Sequence, residues 1–174
     1  MAPRPMAPPA PEALSGTYMI TSVSTGLKVS RLPVEDKSGK PKIIAVLPRH
    51  QEKYAIPWQI IPNSDGTYTM MNRGASAHAY DGALFAKINP GVPPLFARWK
   101  LTKVPVAKAF NGGQPLPGSE EYAYIIESAD ESDKPRWSVA GDVGREPRDP
   151  KQIAVTPSSI QGYTRSQIFF ITKA

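Results

Sequence analysis

The chain has 174 residues and a hydrophobic fraction of 40%, enough for one domain with a sizeable core, while 20 Pro and 13 Gly exclude long helices, which either residue interrupts. It has no Cys, which excludes a disulfide framework, a thiolate nucleophile and a Cys-based zinc site, and fits a reducing, cytoplasmic setting. The net charge of +6 is spread along the chain without basic runs, so nucleic acid is not an expected partner, and no apolar stretch approaches the ~20 residues of a membrane-spanning helix.

Residues Met1 to Leu14 hold five Pro and four Ala with hardly any charge, a composition that favours extended conformers and predicts a disordered tail before a domain spanning 15–174. Runs of β-branched and aromatic residues then predict strands at Thr17 to Val23, Leu27 to Ser30, Ile43 to Leu47 and Trp58 to Ile61. The turn Asn63-Ser64-Asp65-Gly66 opens a second group, because Asp-Gly supplies the positive φ of a tight hairpin. Strands are expected there at Thr67 to Asn72, weakly at Ala77 to Tyr80, at Leu84 to Ile88 and at Arg98 to Lys103. Val104 to Glu120 shows no sustained strand pattern and reads as an insertion. The third group follows at Tyr122 to Glu127, Trp137 to Val139, Ile153 to Thr156 and Ile168 to Thr172.

A short phrase recurs across the three groups. Their starts read Gly16-Thr17-Tyr18-Met19-Ile20, Gly66-Thr67-Tyr68-Thr69-Met70 and Glu121-Tyr122-Ala123-Tyr124-Ile125-Ile126; their ends read Trp58-Gln59-Ile60, Trp99-Lys100-Leu101 and Phe169-Phe170-Ile171. Tyr18 to Tyr68 is 50 residues and Tyr68 to Tyr124 is 56, the length of a unit of four short strands. Three such units predict an all-β chain, a β-trefoil with pseudo-threefold symmetry, in which Trp58, Trp99 and Phe169 plug the core.

Chemistry is sparse. Of the two His, His50 lies in Arg49-His50-Gln51-Glu52-Lys53 and His78 in Ser76-Ala77-His78-Ala79-Tyr80, with no motif to orient either ring, so both read as lone surface histidines. There is no Gly-x-Ser-x-Gly elbow, and Asp130-Glu131-Ser132-Asp133 lacks the alternation of a calcium loop and reads as a solvated turn. No phosphate cradle is present. The chain is therefore expected to be no enzyme and to need no metal or cofactor.

A rigid scaffold displaying loops is suited to binding. The loop Arg31-Leu32-Pro33-Val34-Glu35-Asp36-Lys37-Ser38-Gly39-Lys40-Pro41 carries basic side chains at Arg31, Lys37 and Lys40 that could enter an acidic specificity pocket, and Pro33 and Pro41 stiffen it. Lys37 is favoured because small Ser38 follows it, whereas Lys40 precedes Pro41; Arg31 before Leu32-Pro33 is second. An ordinary polar turn with solvated lysines is the competing reading of the same residues.

The segments Gly16-Thr17-Tyr18-Met19-Ile20 and Lys42-Ile43-Ile44-Ala45-Val46-Leu47-Pro48, the pair Trp58-x-Ile60 then Asp65-Gly66-Thr67-Tyr68, and Trp99-x-Leu101 resemble the fungal cospin-like serine protease inhibitors from about Ser15 onward. That resemblance implies a cytosolic β-trefoil that blocks trypsin-like serine proteases through the loop between the second and third strands, here Arg31 to Pro41, and it is taken with the expectation of a monomer. The same phrases recur in mycocypins, which inhibit papain-like cysteine proteases. The other alternative is a glycan partner, as in ricin-B-like lectins. Those carry Gln-x-Trp in each unit, and the corresponding places here read Ile56-Pro57-Trp58, Ala97-Arg98-Trp99 and Gln167-Ile168-Phe169. Asp81 beside Tyr80, or Asp142 after Trp137, would then supply the acid and the exposed aromatic.

Overall fold

The computed structural model describes residues 13–87, 97–107, 110–111, 114–115, 120–139, 148–157 and 162–174. The chain is all-β. Its strands are β1 (Gly16–Ser22), β2 (Val29–Arg31), β3 (Lys42–Val46), β4 (Trp58–Pro62), β5 (Tyr68–Asn72), β6 (Ala75–Tyr80), β7 (Ala83–Lys87) and β8 (Trp99–Ala107). They continue with β9 (Phe110–Asn111), β10 (Gln114–Pro115), β11 (Glu120–Ser128), β12 (Arg136–Ser138), β13 (Lys151–Gln152), β14 (Ala154–Thr156) and β15 (Phe169–Lys173). Helix among the described residues is limited to 3-10 turns at Arg49–Tyr54 and Arg165–Gln167.

Antiparallel pairing closes on itself. β7 pairs β14, then β12, β11, β15, β1, β4, β5 and β6 follow in turn, and β6 pairs back onto β7. A closed ring leaves these strands no free edge to aggregate. β3 joins the ring at β7 and carries β2 on its other ladder, so the β2–β3 hairpin stands beside the β6–β7 hairpin.

Turn chemistry sets the register. β5 and β6 are joined by Arg73-Gly74 at φ 49° and 73°, and β6 and β7 by Asp81-Gly82 at φ 51° and 75°. These are two-residue turns with both central residues left-handed, the geometry whose twist matches that of the flanking strands. Inward positions then alternate as the pleat requires: Tyr18, Ile20 and Ser22 of β1 and Trp58 and Ile60 of β4 are buried.

The core centres on Trp137. Its ring lies 5.4 Å from that of Trp58, 5.5 Å from Trp99 and 6.1 Å from Phe169, tilted or edge-on in each case. All four are essentially without solvent exposure, as expected for Trp58, Trp99 and Phe169. The Trp58 indole donates to the Val29 carbonyl at 2.8 Å, and that of Trp99 to the Ala77 carbonyl at 3.0 Å, so two large side chains are fixed in orientation as well as buried.

Two expectations need correction. The strand pattern does not stop at Val104: β8 continues to Ala107 and β11 begins at Glu120, in unbroken register from Trp99↔Ser128 to Ala107↔Glu120. Val104 packs with Ala123 and Ile125 in a second apolar cluster, and this burial extends the hairpin. Pro105 is tolerated because, among the described residues, β8 meets β5 only at Trp99, which leaves its outer edge free of a ladder that a missing N–H would break. Leu14, assigned to the tail, instead packs on the main core, with its N–H 3.4 Å from the Tyr68 hydroxyl. The rest of the tail, to residue 12, lies outside the described residues, as does most of 108–119.

Candidate functional site

The loop singled out from sequence leaves the sheet at Arg31 and returns at Lys42, paired at its base by Arg31↔Ile44, Ser30↔Ala45 and Val29↔Val46. Each foot is clamped differently. Arg31 is buried, and its guanidinium forks onto Glu35, Nε to Oε2 at 3.1 Å and Nη2 to Oε1 at 2.6 Å. Its remaining donors reach the carbonyls of Asn72 at 3.3 Å and Arg73 at 3.2 Å. The Arg31 N–H donates to Asn72 Oδ1 at 3.1 Å, while the Asn72 amide donates to the Ile56 carbonyl at 2.9 Å. The first foot is thus bolted to the end of β5 and to the segment before β4.

Lys42 is equally buried and holds the second foot. Its ammonium donates to the Asp36 carbonyl at 2.8 Å and to Asp36 Oδ1 at 2.5 Å. The same carboxylate oxygen accepts from the Ser38 N–H at 2.9 Å and from the Ser38 hydroxyl at 2.5 Å. Lys42 and these Ser38 donors hold the Asp36 carboxyl well below the usual carboxylate range. A depressed carboxyl contributes its stabilisation above the ordinary pKa of 3.8 and loses it as pH falls further, so the clamp is complete throughout the neutral range.

Between the feet, Val34 is 85% exposed, and Lys37, Ser38, Gly39 and Lys40 are exposed. Lys37 and Lys40 have no acidic partner within 4 Å among the described residues. Leu32 is half-buried. The reading of Arg31 as a second basic side chain free to enter a pocket is corrected: it is buried, each of its three guanidinium nitrogens donates within the protein, and it is an anchor. An Arg31→Met variant would leave Glu35, whose side chain is 9% exposed, with only Arg73 at 3.8 Å. Removing one partner of a buried pair is expected to lower the unfolding free energy by about 3 kcal/mol, to be read from urea denaturation.

On the neighbouring hairpin, His78 is not a lone surface histidine. It is half-buried, with Nε2 2.7 Å from the Ser76 hydroxyl, on the wall of a groove of about 600 Å³ that it shares with Lys40, Pro41, Tyr80 and Phe85. Ser76 is only 1% exposed, which removes it as a nucleophile. Burial, then the Lys87 charge, pushes the His78 pKa below its ordinary 6.5. The unfolded chain therefore binds the extra proton first, and stability falls as pH drops below about 6.5. His78→Gln is expected to flatten that slope in denaturation measured between pH 7 and 5.

Asp81 occupies a hairpin tip, beside Tyr80 at 75% exposure. A depression of about 240 Å³ brings them together with Glu131, Asp133 and Pro135. Trp137, expected as an exposed sugar platform in the alternative reading, is fully buried and cannot serve; Asp142 lies outside the described residues. Among the described residues no three His, Asp or Glu side chains gather as a metal site, and no helix is long and apolar enough to cross a membrane.

Arg31 and Lys42 hold the two feet of an exposed loop on a closed β ring, an arrangement suited to presenting that loop. The chain belongs to the Peptidase inhibitor I66 family, whose model matches residues 12–173, so the resemblance to cospin-like inhibitors holds, and the family is one of inhibitors and not of enzymes. Among solved structures, a proteinase inhibitor from Coprinopsis cinerea is similar at 24% identity and TM-score 0.68, over 94% of this chain and 100% of that one. A salivary protein from Culex quiquefasciatus of the cysteine and tryptophan-rich family is similar at 16% and 0.60, over 95% and 98%. A Macrolepiota procera ricin B-like lectin in complex with lactose is similar at 17% and 0.56, over 94% and 100%. At such identities these likenesses carry the fold alone. No curated protein sequence matches the chain.

Proposed function

We propose that this chain is a β-trefoil inhibitor of trypsin-like serine proteases that offers the Lys37–Ser38 peptide to the enzyme's specificity pocket. The observation that carries the reading is the exposed, uncompensated Lys37 on a tip whose two feet are fixed by buried cations, Arg31 on Glu35 and Lys42 on Asp36. A preformed loop loses little conformational entropy on docking, and a free lysine suits a pocket with an acidic floor. The three Tyr-led strand starts and the buried Trp58, Trp99 and Phe169 support the trefoil reading, and the absence of Cys fits a cytoplasmic setting.

Titrating trypsin, chymotrypsin and papain with increasing amounts of the protein tests it. Stoichiometric loss of trypsin activity is the expected result. Loss of papain activity alone would move the reading to cysteine proteases. A second reading, glycan binding, is favoured by one observation: exposed Tyr80 beside the carboxylates of Asp81, Glu131 and Asp133, a stacking face with hydroxyl acceptors. Retention on immobilised glycans, abolished by Tyr80→Ala, would support it.

A further inference from the structure

The hydrogen bonds around Asp36 have a particular arrangement with respect to the peptide that follows Lys37. Asp36 lies on the N-terminal side of the Lys37–Ser38 bond; Ser38 and Lys42 lie on the C-terminal side. Four hydrogen bonds cross it: Ser38 N–H and Ser38 hydroxyl to Asp36 Oδ1, and the Lys42 ammonium to both Asp36 Oδ1 and the Asp36 carbonyl. The outermost tie across the bond is the β2–β3 ladder at Arg31↔Ile44, while the Arg31 fork on Glu35 braces the N-terminal side alone. Of the four hydrogen bonds, one is donated by the N–H of the Lys37–Ser38 peptide itself, and the other three do not use that peptide's atoms.

We propose that Lys42 and Asp36 are positioning residues that hold the severed ends of the loop together, so that a protease which cuts Lys37–Ser38 reseals it and stays inhibited. This rests on the reading that Lys37 enters the protease. When the enzyme's nucleophile attacks the Lys37 carbonyl carbon, the bond from that carbon to Ser38 N breaks. The enzyme's general acid delivers a proton to the nitrogen, leaving an acyl-enzyme on Lys37 and a free amine on Ser38. Hydrolysis requires that amine to leave so that water can take its place. Here the amine nitrogen begins 2.9 Å from Asp36 Oδ1, and Asp36 remains attached to the acyl side. The Lys42 ammonium ties the rest of the leaving segment to the same carboxylate.

The amine is therefore kept beside the acyl carbon. Its attack expels the enzyme's nucleophile, the general base carries the amine's proton back to that nucleophile, and the original peptide is restored with no atom gained or lost. A well-held intramolecular nucleophile acts at effective molarities on the order of 10⁵ M or more, far above the concentration of water, so resealing outruns hydrolysis as long as the tie holds. Lys42 suits the task because its stem is buried: the side chain is 5% exposed, and its head is delivered to the tip from below. Asp36 itself is 71% exposed and would wander without that cation.

The test uses the intact protein, Lys42→Met, which keeps the stem volume, and Lys42→Arg, which keeps the donor. Each is mixed with trypsin; inhibition is read at first mixing and over a long incubation, and mass spectrometry follows cleavage after Lys37. The wild type is expected to stay inhibitory. Lys42→Met is expected to be cut on the order of 100-fold faster per bound enzyme, with trypsin activity returning, because losing the tie misplaces the amine. Lys42→Arg is expected to restore most of the persistence. Asp36→Ala removes the shared acceptor at an exposed position, leaves the Lys42 ammonium its bonds to the Asp36 carbonyl and the Ser38 hydroxyl, and is expected to behave like Lys42→Met, which keeps the test decisive should Lys42→Met fail to fold. Lasting inhibition by both Lys42→Met and Asp36→Ala, with the loop uncut, would overturn the inference while leaving the inhibitory reading intact. Absence of inhibition by the wild type from the first moment would remove the inhibitory reading itself.

Discussion

Lys37→Ala is expected to weaken inhibition of trypsin by about 100-fold or more while leaving the melting curve unchanged. A charged side chain buried at the centre of an interface is the kind of residue whose truncation costs about 3 kcal/mol or more, and each ~1.4 kcal/mol is tenfold in affinity. Lys37 is exposed and makes no ion pair within 4 Å among the described residues, so its removal takes nothing from the folded chain. Surface substitutions of that sort shift stability by no more than about 0.5 kcal/mol. Lys37→Arg should retain inhibition, because a guanidinium also reaches an acidic pocket floor. Lys40→Ala, immediately before Pro41, should change inhibition by no more than about threefold, as a rim contact does. Wild-type inhibition by Lys37→Ala would refute the assignment of the pocket-filling residue.

That assignment came from local chemistry, a basic residue followed by a small one in a loop between two strands, and local chemistry is what sequence displays. What it did not display is how the loop is held. Arg31 and Glu35 stand four apart, a spacing that can be noticed, but Asn72, which receives the Arg31 N–H and passes its own amide to Ile56, is 41 residues away in the chain. No pattern in a single sequence announces that meeting. A basic residue at the end of a strand looks the same whether its guanidinium points to solvent or is consumed by carbonyls. Lys42 was hidden in a similar way: it opens the aliphatic run Ile43-Ile44-Ala45-Val46 and reads as a strand start, yet its ammonium organises the tip.

The fold was more legible because repetition and turn chemistry are periodic signals. Strands around Tyr18, Tyr68 and Tyr124 and those led by Trp58, Trp99 and Phe169 fall within a residue or two of their observed limits, except at the β8–β11 hairpin. There Pro105 and the glycines that follow looked like the end of a strand, whereas burial of Val104 against Ala123 and Ile125 carries the pairing past them. Tertiary packing overrode local propensity, as it commonly does in sheets. The Arg73-Gly74 turn was missed because Arg is an uncommon residue at positive φ, although the Gly beside it was a usable signal.

Trp137→Ala is expected to be the most destabilising single substitution in the core, lowering the unfolding free energy by about 4 to 5 kcal/mol. Trp137 belongs to none of the repeated phrases, yet its ring touches Trp58, Trp99 and Phe169, so its loss opens a cavity faced by three rigid aromatics that cannot collapse inward together. Against a typical total of about 5 to 15 kcal/mol, that is a large fraction, and the melting temperature should fall by roughly 10 to 20 °C. Trp137→Phe supplies the control. The Trp137 indole N–H has no hydrogen-bond partner among the described residues, so Phe sacrifices volume but no bond and should cost about 1 to 2 kcal/mol. Trp58→Phe differs, because it also strips the Val29 carbonyl of its donor at the start of β2. If packing around Trp137 supports the ring of strands as a whole, Trp137→Phe should melt lower but inhibit normally. Trp58→Phe should lose inhibition in step with stability, since Val29 leads directly into Arg31 and the foot of the loop.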